Sequence, residues 1–169
     1  MIETRPGDPA DEDALAALDL ATWNWLTSPA PKPEPGSGWR FFDERTAPKA
    51  VIVATVDGEV AGYVKLGHPT PLAASEHVLM VKGIAVSPER QRGGVGRALM
   101  DAAAAEARAR GARRLTLHVL GPNTAARRLY ESAGFVVEGV QRDEFFLEDA
   151  YVDDVLMALE LDPAPRAGG

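Results

Sequence analysis

The pattern of apolar and polar positions predicts strands along most of the chain. Short runs rich in Val, Ile, Leu and aromatic residues, several with period-two alternation, indicate buried or half-buried strands. They cover residues 2–5, 51–56, 59–66, 76–86, 115–119, 135–141 and 150–159. The pair Asp57-Gly58 is typical of a tight turn, so the second and third strands should form a hairpin. The aromatic middle of the acidic connection 142–149 could lengthen the sixth strand.

Apolar residues at helical spacing predict helices between these strands. They cover residues 8–26, 94–110 and 124–132. The second helix has a narrow face of small residues suited to close packing on a sheet, formed by Val95, Ala98, Leu99, Ala102, Ala105 and Ala109. A strand, a crossover helix and a further strand follow one another here. The strand at 115–119 should therefore lie parallel to the strand at 76–86.

The stretch from Val81 to Met100 joins the end of a strand, a glycine-dense loop and the start of the second helix. Pro88 should end the strand, because it has no N–H group. The glycines of the loop permit a tight turn, and the first helical turn offers unpaired N–H groups at the positive end of the dipole. The loop is therefore a candidate phosphate site, with added charge from Arg90, Arg92 and Arg97.

Three kinds of phosphate loop compete for this stretch. A P-loop requires Lys and then Ser or Thr after its last glycine, where this chain has Arg97-Ala98. The dinucleotide fingerprint requires a third glycine, where this chain has Leu99. The run from Gln91 to Gly96 fits a third pattern, Gln/Arg-x-x-Gly-x-Gly/Ala. The alternative is a glycine loop that merely joins strand to helix.

Through this run the chain resembles the GNAT superfamily of N-acetyltransferases, in which the loop binds the pyrophosphate of acetyl-CoA. The resemblance implies a set of cofactor-binding residues in the loop. They are Gln91, Arg92, Gly93, Gly94, Val95, Gly96 and Arg97.

A second motif runs from Asn123 to Phe135. Asn123 and Tyr130 lie seven residues apart, two helical turns, and so point the same way. The order of strand, Asn, helix, Tyr, Gly and Phe again resembles the GNAT superfamily. There the Asn side chain contacts the pantetheine arm or adjacent backbone, and the Tyr hydroxyl is the proposed general acid. Without the resemblance, Asn123 would be a plain N-cap and Tyr130 a core tyrosine.

The resemblance implies an α/β fold (α+β mixed) with one GNAT-like domain at residues 1–161 and a flexible tail at 162–169. It implies a mostly antiparallel sheet of six to seven strands, splayed between the fourth and fifth and flanked by about four helices. The splayed strand would offer backbone groups of Ile84, Ala85 and Val86 to pantetheine and the acetyl oxygen. Gly83 could permit the bulge that opens the sheet.

Composition and charge narrow the chemistry. The chain has 169 residues and no cysteine, which excludes disulfides and a cysteine-bound acyl intermediate. Its three histidines have no paired spacing, so a metal site is not expected. The net charge of −7 argues against nucleic-acid binding. Residues 89–128 nevertheless carry nine arginines against three acids, and this basic region suits a polyanionic cofactor.

No apolar run reaches the length of a membrane span or resembles a signal peptide, so a cytoplasmic protein is expected. The expected function is transfer of an acetyl group from acetyl-CoA to an amine by direct attack in a ternary complex. The acceptor would be a primary amine of a small molecule, an amino-acid derivative or a peptide N-terminus. A homodimer formed through the late strands is compatible with the resemblance alone.

The general base is left open, because the middle of the strand at 76–86 carries no carboxylate. Glu76, His77 and His118 are candidates, and Asp143 with Glu144 could instead bind a cationic acceptor. The proline-rich segment 28–38 is either a lid over the acceptor or a spacer between core aromatics. A non-catalytic acyl-CoA-binding module is the alternative function. Nucleotide phosphotransfer is a third reading that lacks the P-loop lysine.

Overall fold

The computed structural model describes residues 1–34 and 36–162, so residues 163–169 of the predicted tail lie outside the described part. Seven strands form one sheet in the order β1-β2-β3-β4-β5-β7-β6. The strands are β1 Ile2–Pro6, β2 Val51–Val56, β3 Glu59–Gly67, β4 Val78–Val86, β5 Arg114–Leu120, β6 Val136–Leu147 and β7 Ala150–Glu160. The helices are α1 Glu12–Thr22, α2 Val95–Ala109 and α3 Thr124–Ser132.

The sheet is antiparallel except where β4 and β5 run parallel, which confirms the predicted crossover. Their pairing covers residues 78–81 and 114–117. Further along, β4 stays with β3 and β5 stays with β7, so the two strands diverge. The expected opening between the fourth and fifth strands is therefore present.

The bulge in β4 lies at Lys82. Lys65 of β3 is opposite Gly83 while Leu66 is opposite Val81, which leaves Lys82 as the extra residue. The bulge thus falls one residue before the expected glycine. A Cβ on Gly83 would come no nearer than 3.9 Å to the Lys65 side chain, so the glycine is not needed for space.

Two cores cover the two faces of the sheet. The larger one lies under α2 and α3, and the smaller one lies under α1. The buried stripe of α2 consists of Val95, Leu99, Met100, Ala103, Ala104 and Ala107. The predicted face was wrong at Ala105 and Ala109, which are exposed. Val95 and Leu99 are buried as predicted, and the large side chain of Met100 is buried with them, so the buried stripe turns towards Ala103, Ala104 and Ala107.

Helix α1 ends earlier than its predicted limit at residue 26. The backbone of Trp23 is extended, and Trp25 is 40% exposed. The Asn24 side chain accepts a hydrogen bond from the N–H of Leu26 at 2.9 Å. Such a local bond competes with the helical one, which explains the early end. The described residues contain three α-helices instead of about four, together with short 3-10 turns.

Strand β6 continues through the acidic connection to Leu147, as the aromatic residues there suggested. It does so through a bulge, because Gln141 lies opposite Asp154 while Phe145 lies opposite Val152. Within residues 1–34 and 36–162, no helix is long and apolar enough to cross a membrane.

Candidate active site

A cavity of about 190 Å³ lies beside the end of β5 and is lined from five parts of the chain. Its lining residues are Leu26, Thr27, Pro29, His118, Val119, Leu120, Asn123, Tyr130, Phe145 and Asp154. The sequence motif residues Asn123 and Tyr130 therefore meet residues from β5, β6 and β7.

The glycine loop forms a tight turn before α2. Gly94 caps the helix in the left-handed region with φ +87°, and Arg92 has φ +63°. A Cβ added to Gly93 would lie 3.1 Å from the carbonyl oxygen of Arg90. The first N–H groups of α2 have no intrahelical acceptor, as in any α-helix, so the loop suits an anionic group.

Two arginines, Arg97 on α2 and Arg127 on α3, differ in whether their guanidinium nitrogens have hydrogen-bond partners. The Arg97 guanidinium donates to Asp101 at 2.9 Å and to the carbonyl of Ser132 at 2.8 Å, so it ties α2 to α3. Arg127 has a buried Nε atom without a hydrogen-bond partner in the described part of the chain. An unpaired buried donor on α3 fits a phosphate or carbonyl oxygen of a bound ligand.

Tyr130 lies on the buried face of α3 and is 6% exposed. Its ring centroid is 6.2 Å from that of Phe135, the last residue of the second motif. Burial raises the pKa of the Tyr130 hydroxyl to about 12. The phenol therefore stays protonated at neutral pH and can donate a proton into the cavity.

His118 and Asp154 form a hydrogen-bonded pair on neighbouring strands. The Nδ1 of His118 lies 2.5 Å from Oδ2 of Asp154, which is 5% exposed. With Nδ1–H donating to the carboxylate, Nε2 is the nitrogen left to accept a proton. His118 was one of three candidate bases, whereas Asp154 was missed. The signal that could have marked it is an acid set among the apolar residues of β7.

The other candidate bases lie elsewhere. Glu76 and His77 precede β4, at the end of the strand where β4 and β5 are paired. They line a separate cavity with His68 and Arg110. They are therefore remote from Tyr130 and unsuited to act with it. Asp143 and Glu144 are exposed in the β6 bulge. They are not among the described residues that line the active-site cavity.

The segment Ile84, Ala85 and Val86 lies on the diverging part of β4. One edge pairs with β3, and the other edge faces the opening. Ile84 and Val86 pack towards the larger core, while Ala85 packs towards the smaller one. The backbone groups of residues 84–86 on that edge are thus not paired with β5.

A further polar cluster lies beside Ala85 on the α1 face. The Tyr63 hydroxyl donates to the buried carboxylate of Asp19. The Lys65 ammonium lies 4.1 Å from the centroid of the Phe41 ring, and burial lowers the pKa of this lysine. Burial and the neighbouring carboxylate raise the pKa of Tyr63. The cluster connects α1 to β3.

Comparison with known proteins identifies the family. A family model described as acetyltransferase (GNAT) family matches residues 17–135. A mycothiol acetyltransferase from Amycolatopsis mediterranei (strain U-32) is 34% identical over 134 residues, which are 74% of this chain and 42% of that protein. A ribosomal protein bS18-alanine N-acetyltransferase from Escherichia coli (strain K12) is 41% identical over 78 residues, 46% of this chain and 53% of that protein. The chain spans about half the length of these curated relatives.

Among solved structures, the fold matches a GNAT superfamily phosphinothricin acetyltransferase from Sinorhizobium meliloti in complex with acetyl-CoA. The TM-score is 0.78 at 19% identity, over 99% of this chain and 94% of that chain. At this identity the match shows the fold. The family model covers most of the chain and both motifs. The chain therefore belongs to the acetyltransferase (GNAT) family.

Proposed function

We propose that this chain is an N-acetyltransferase that transfers the acetyl group of acetyl-CoA to a primary amine by direct attack in a ternary complex. The acceptor is a small molecule, an amino-acid derivative or a peptide N-terminus. The observation that carries the proposal is the convergence of a histidine–carboxylate pair and a protonated tyrosine on one cavity. A base and an acid are the two groups that this reaction needs.

Acetyl-CoA would lie along residues that the sequence motifs and the fold bring together. The glycine loop and the first turn of α2 offer N–H groups to its pyrophosphate. The unpaired Nε of Arg127 adds a cationic donor from α3. The free edge of residues 84–86 offers backbone groups to the pantetheine arm. When bound, acetyl-CoA supplies an acetyl group activated as a thioester.

His118 is the proposed general base. Alkyl amines are mostly protonated at neutral pH, so the attacking amine must lose a proton. The Nε2 atom accepts that proton, directly or through one water. Asp154 holds the imidazole in the tautomer with Nδ1–H and stabilises the imidazolium that forms.

Tyr130 is the proposed general acid. Its hydroxyl donates a proton to the leaving sulfur, so the thiol departs in neutral form. Its pKa, raised to about 12 by burial, means that the phenol is protonated at neutral pH. The chain has no cysteine, so the acetyl group passes to the amine without a cysteine-bound stage.

The decisive experiment measures thiol release from acetyl-CoA across a panel of primary amines. Peptides with N-terminal alanine belong in the panel, because a relative is named for that activity. The proposal expects amine-dependent release that is lost when His118 is replaced. Binding of acetyl-CoA with no release on any amine would instead favour the non-catalytic acyl-CoA-binding module.

A further inference from the structure

Asn123 joins two parts of the chain that lie 97 residues apart. Its Oδ1 accepts a hydrogen bond from the N–H of Ala126 at 3.2 Å, and this bond caps α3. Its Nδ2 donates to the carbonyl oxygen of Leu26 at 3.0 Å. Both polar ends of the side chain are thus used within the protein. The resemblance implied that this side chain contacts the pantetheine arm or adjacent backbone, and nothing in the sequence pointed to Leu26.

The turn that receives this bond, residues 23–30, follows α1 and is organised by its own side chains. The N–H of Leu26 donates to Asn24 Oδ1 at 2.9 Å, and the N–H of Asn24 donates to Thr27 Oγ1 at 3.1 Å. These bonds stay inside the turn. Among the described residues, the bond from Asn123 is the hydrogen bond that ties the turn to a distant part of the chain.

The same turn forms one wall of the active-site cavity. Leu26, Thr27 and Pro29 line the cavity that His118 and Tyr130 also line. Helix α3 carries both the proposed acid and the residue that holds this wall. The hydrogen bond therefore sets how far the wall stands from the reacting groups.

We infer that Asn123 is a positioning residue that holds the 23–30 turn as the acceptor-side wall of the cavity. This inference rests on the proposed acetyltransferase function and adds a determinant of acceptor binding to it. Leu26 and Pro29 line the same cavity as His118, so an amine bound beside His118 would have their apolar side chains as part of its surroundings. A wall that moves loses contact with the acceptor, whereas the glycine loop that holds the pyrophosphate belongs to α2 and is unaffected.

The test replaces Asn123 with Asp, which caps a helix as well as Asn does but has no N–H to donate. Hydrogen exchange is measured on the full chain without ligands, at the amides of Thr27 and Ser28. Both amides donate to the Asn24 carbonyl within the turn. Exchange in Asn123→Asp should be at least fivefold faster. The matched control is Thr124→Ala, an exposed neighbour on α3, which should leave exchange unchanged.

Ligand affinity separates this role from a direct cofactor contact. In Asn123→Asp, the KM for an alanyl peptide acceptor should rise about tenfold, the size expected for one lost hydrogen bond. The kcat should stay within threefold, and the Kd of acetyl-CoA by calorimetry should stay within twofold. A turn that exchanges at the wild-type rate would overturn the inference. So would a tenfold weaker Kd for acetyl-CoA with an unchanged acceptor KM.

The exchange measurement needs neither substrate nor turnover. If no amine is acetylated, the proposed function fails, and the exchange rates alone decide whether Asn123 holds the turn. If the exchange rates are unchanged, the inference fails while the acetyltransferase assignment stands on the amine panel. The two failures are therefore distinguishable.

Discussion

The Nδ1 atom of His118 lies 2.5 Å from the Oδ2 atom of Asp154, across the boundary between β5 and β7. The pair forms because β7 is inserted next to β5, with His118 opposite Leu156 and Asp154 opposite Leu120. A buried carboxylate thereby orients a half-exposed imidazole towards the cavity. The geometry is that of a base with its orienting group.

Replacing His118 with Ala should lower kcat/KM by about 100-fold or more, because general base catalysis typically contributes that much. Thiol release at saturating acetyl-CoA is the measurement. The matched control is His77→Ala, an exposed histidine before β4 that should keep wild-type activity. Equal losses in the two variants would contradict the role of His118.

Asp154→Asn should lower kcat/KM by about tenfold or more, since an amide no longer fixes the imidazole tautomer. The double variant with His118→Ala should be no slower than His118→Ala alone, because residues that act as a unit are not additive. A double-mutant cycle measures this coupling. Fully additive losses would mean that Asp154 acts independently of His118.

Tyr130→Phe should lower kcat by about 100-fold and change the Kd of acetyl-CoA less than twofold, because only the proton donor is lost. Calorimetry and steady-state kinetics together test this. Tyr151→Phe is the control, since that ring is 70% exposed on β7. Unchanged turnover in Tyr130→Phe would remove Tyr130 from the mechanism.

The protein should lose stability as the pH rises above about 10, where tyrosine ionises in the unfolded chain. The folded-state pKa of Tyr130 is raised to about 12, so the folded state holds the proton longer. The stabilisation is thus complete below pH 10 and is lost between 10 and 12, about 3 kcal/mol for this group alone. Urea unfolding at each pH should show a shallower fall in Tyr130→Phe than in the wild type or Tyr151→Phe.

Gly94→Ala should weaken acetyl-CoA binding about tenfold and lower the free energy of unfolding by about 1 kcal/mol. The reason is its left-handed backbone, φ +87°, at the start of α2. Calorimetry and urea unfolding measure the two effects. Gly139→Ala is the control, because a Cβ there meets nothing within 4 Å and its φ lies outside the left-handed region. Wild-type affinity in Gly94→Ala would argue against the loop as the pyrophosphate site.

Local features of the sequence were sufficient for much of the architecture. The apolar runs, several of them alternating, predicted all seven strands, and the hairpin at Asp57-Gly58 is present. The predicted boundaries failed at the end of α1, where the side chain of Asn24 competes with the helix. The predicted face of α2 failed because alanines fit either a core or a surface, and the packing of Leu99 and Met100 decided between them.

By itself, the sequence determined the family motif, the glycine loop that starts α2 and the spacing of Asn123 and Tyr130, because each depends on neighbours along one short segment. Only the tertiary structure decided which candidate base faces the cavity. His118 meets Asp154, and Asn123 meets Leu26, across strands and turns far apart in the chain. The first contact follows from the pairing of β5 with β7, and the second joins the N-terminus of α3 to the turn after α1. Neither contact is visible in a local sequence pattern, because each depends on which distant segments pack together when the whole sheet forms.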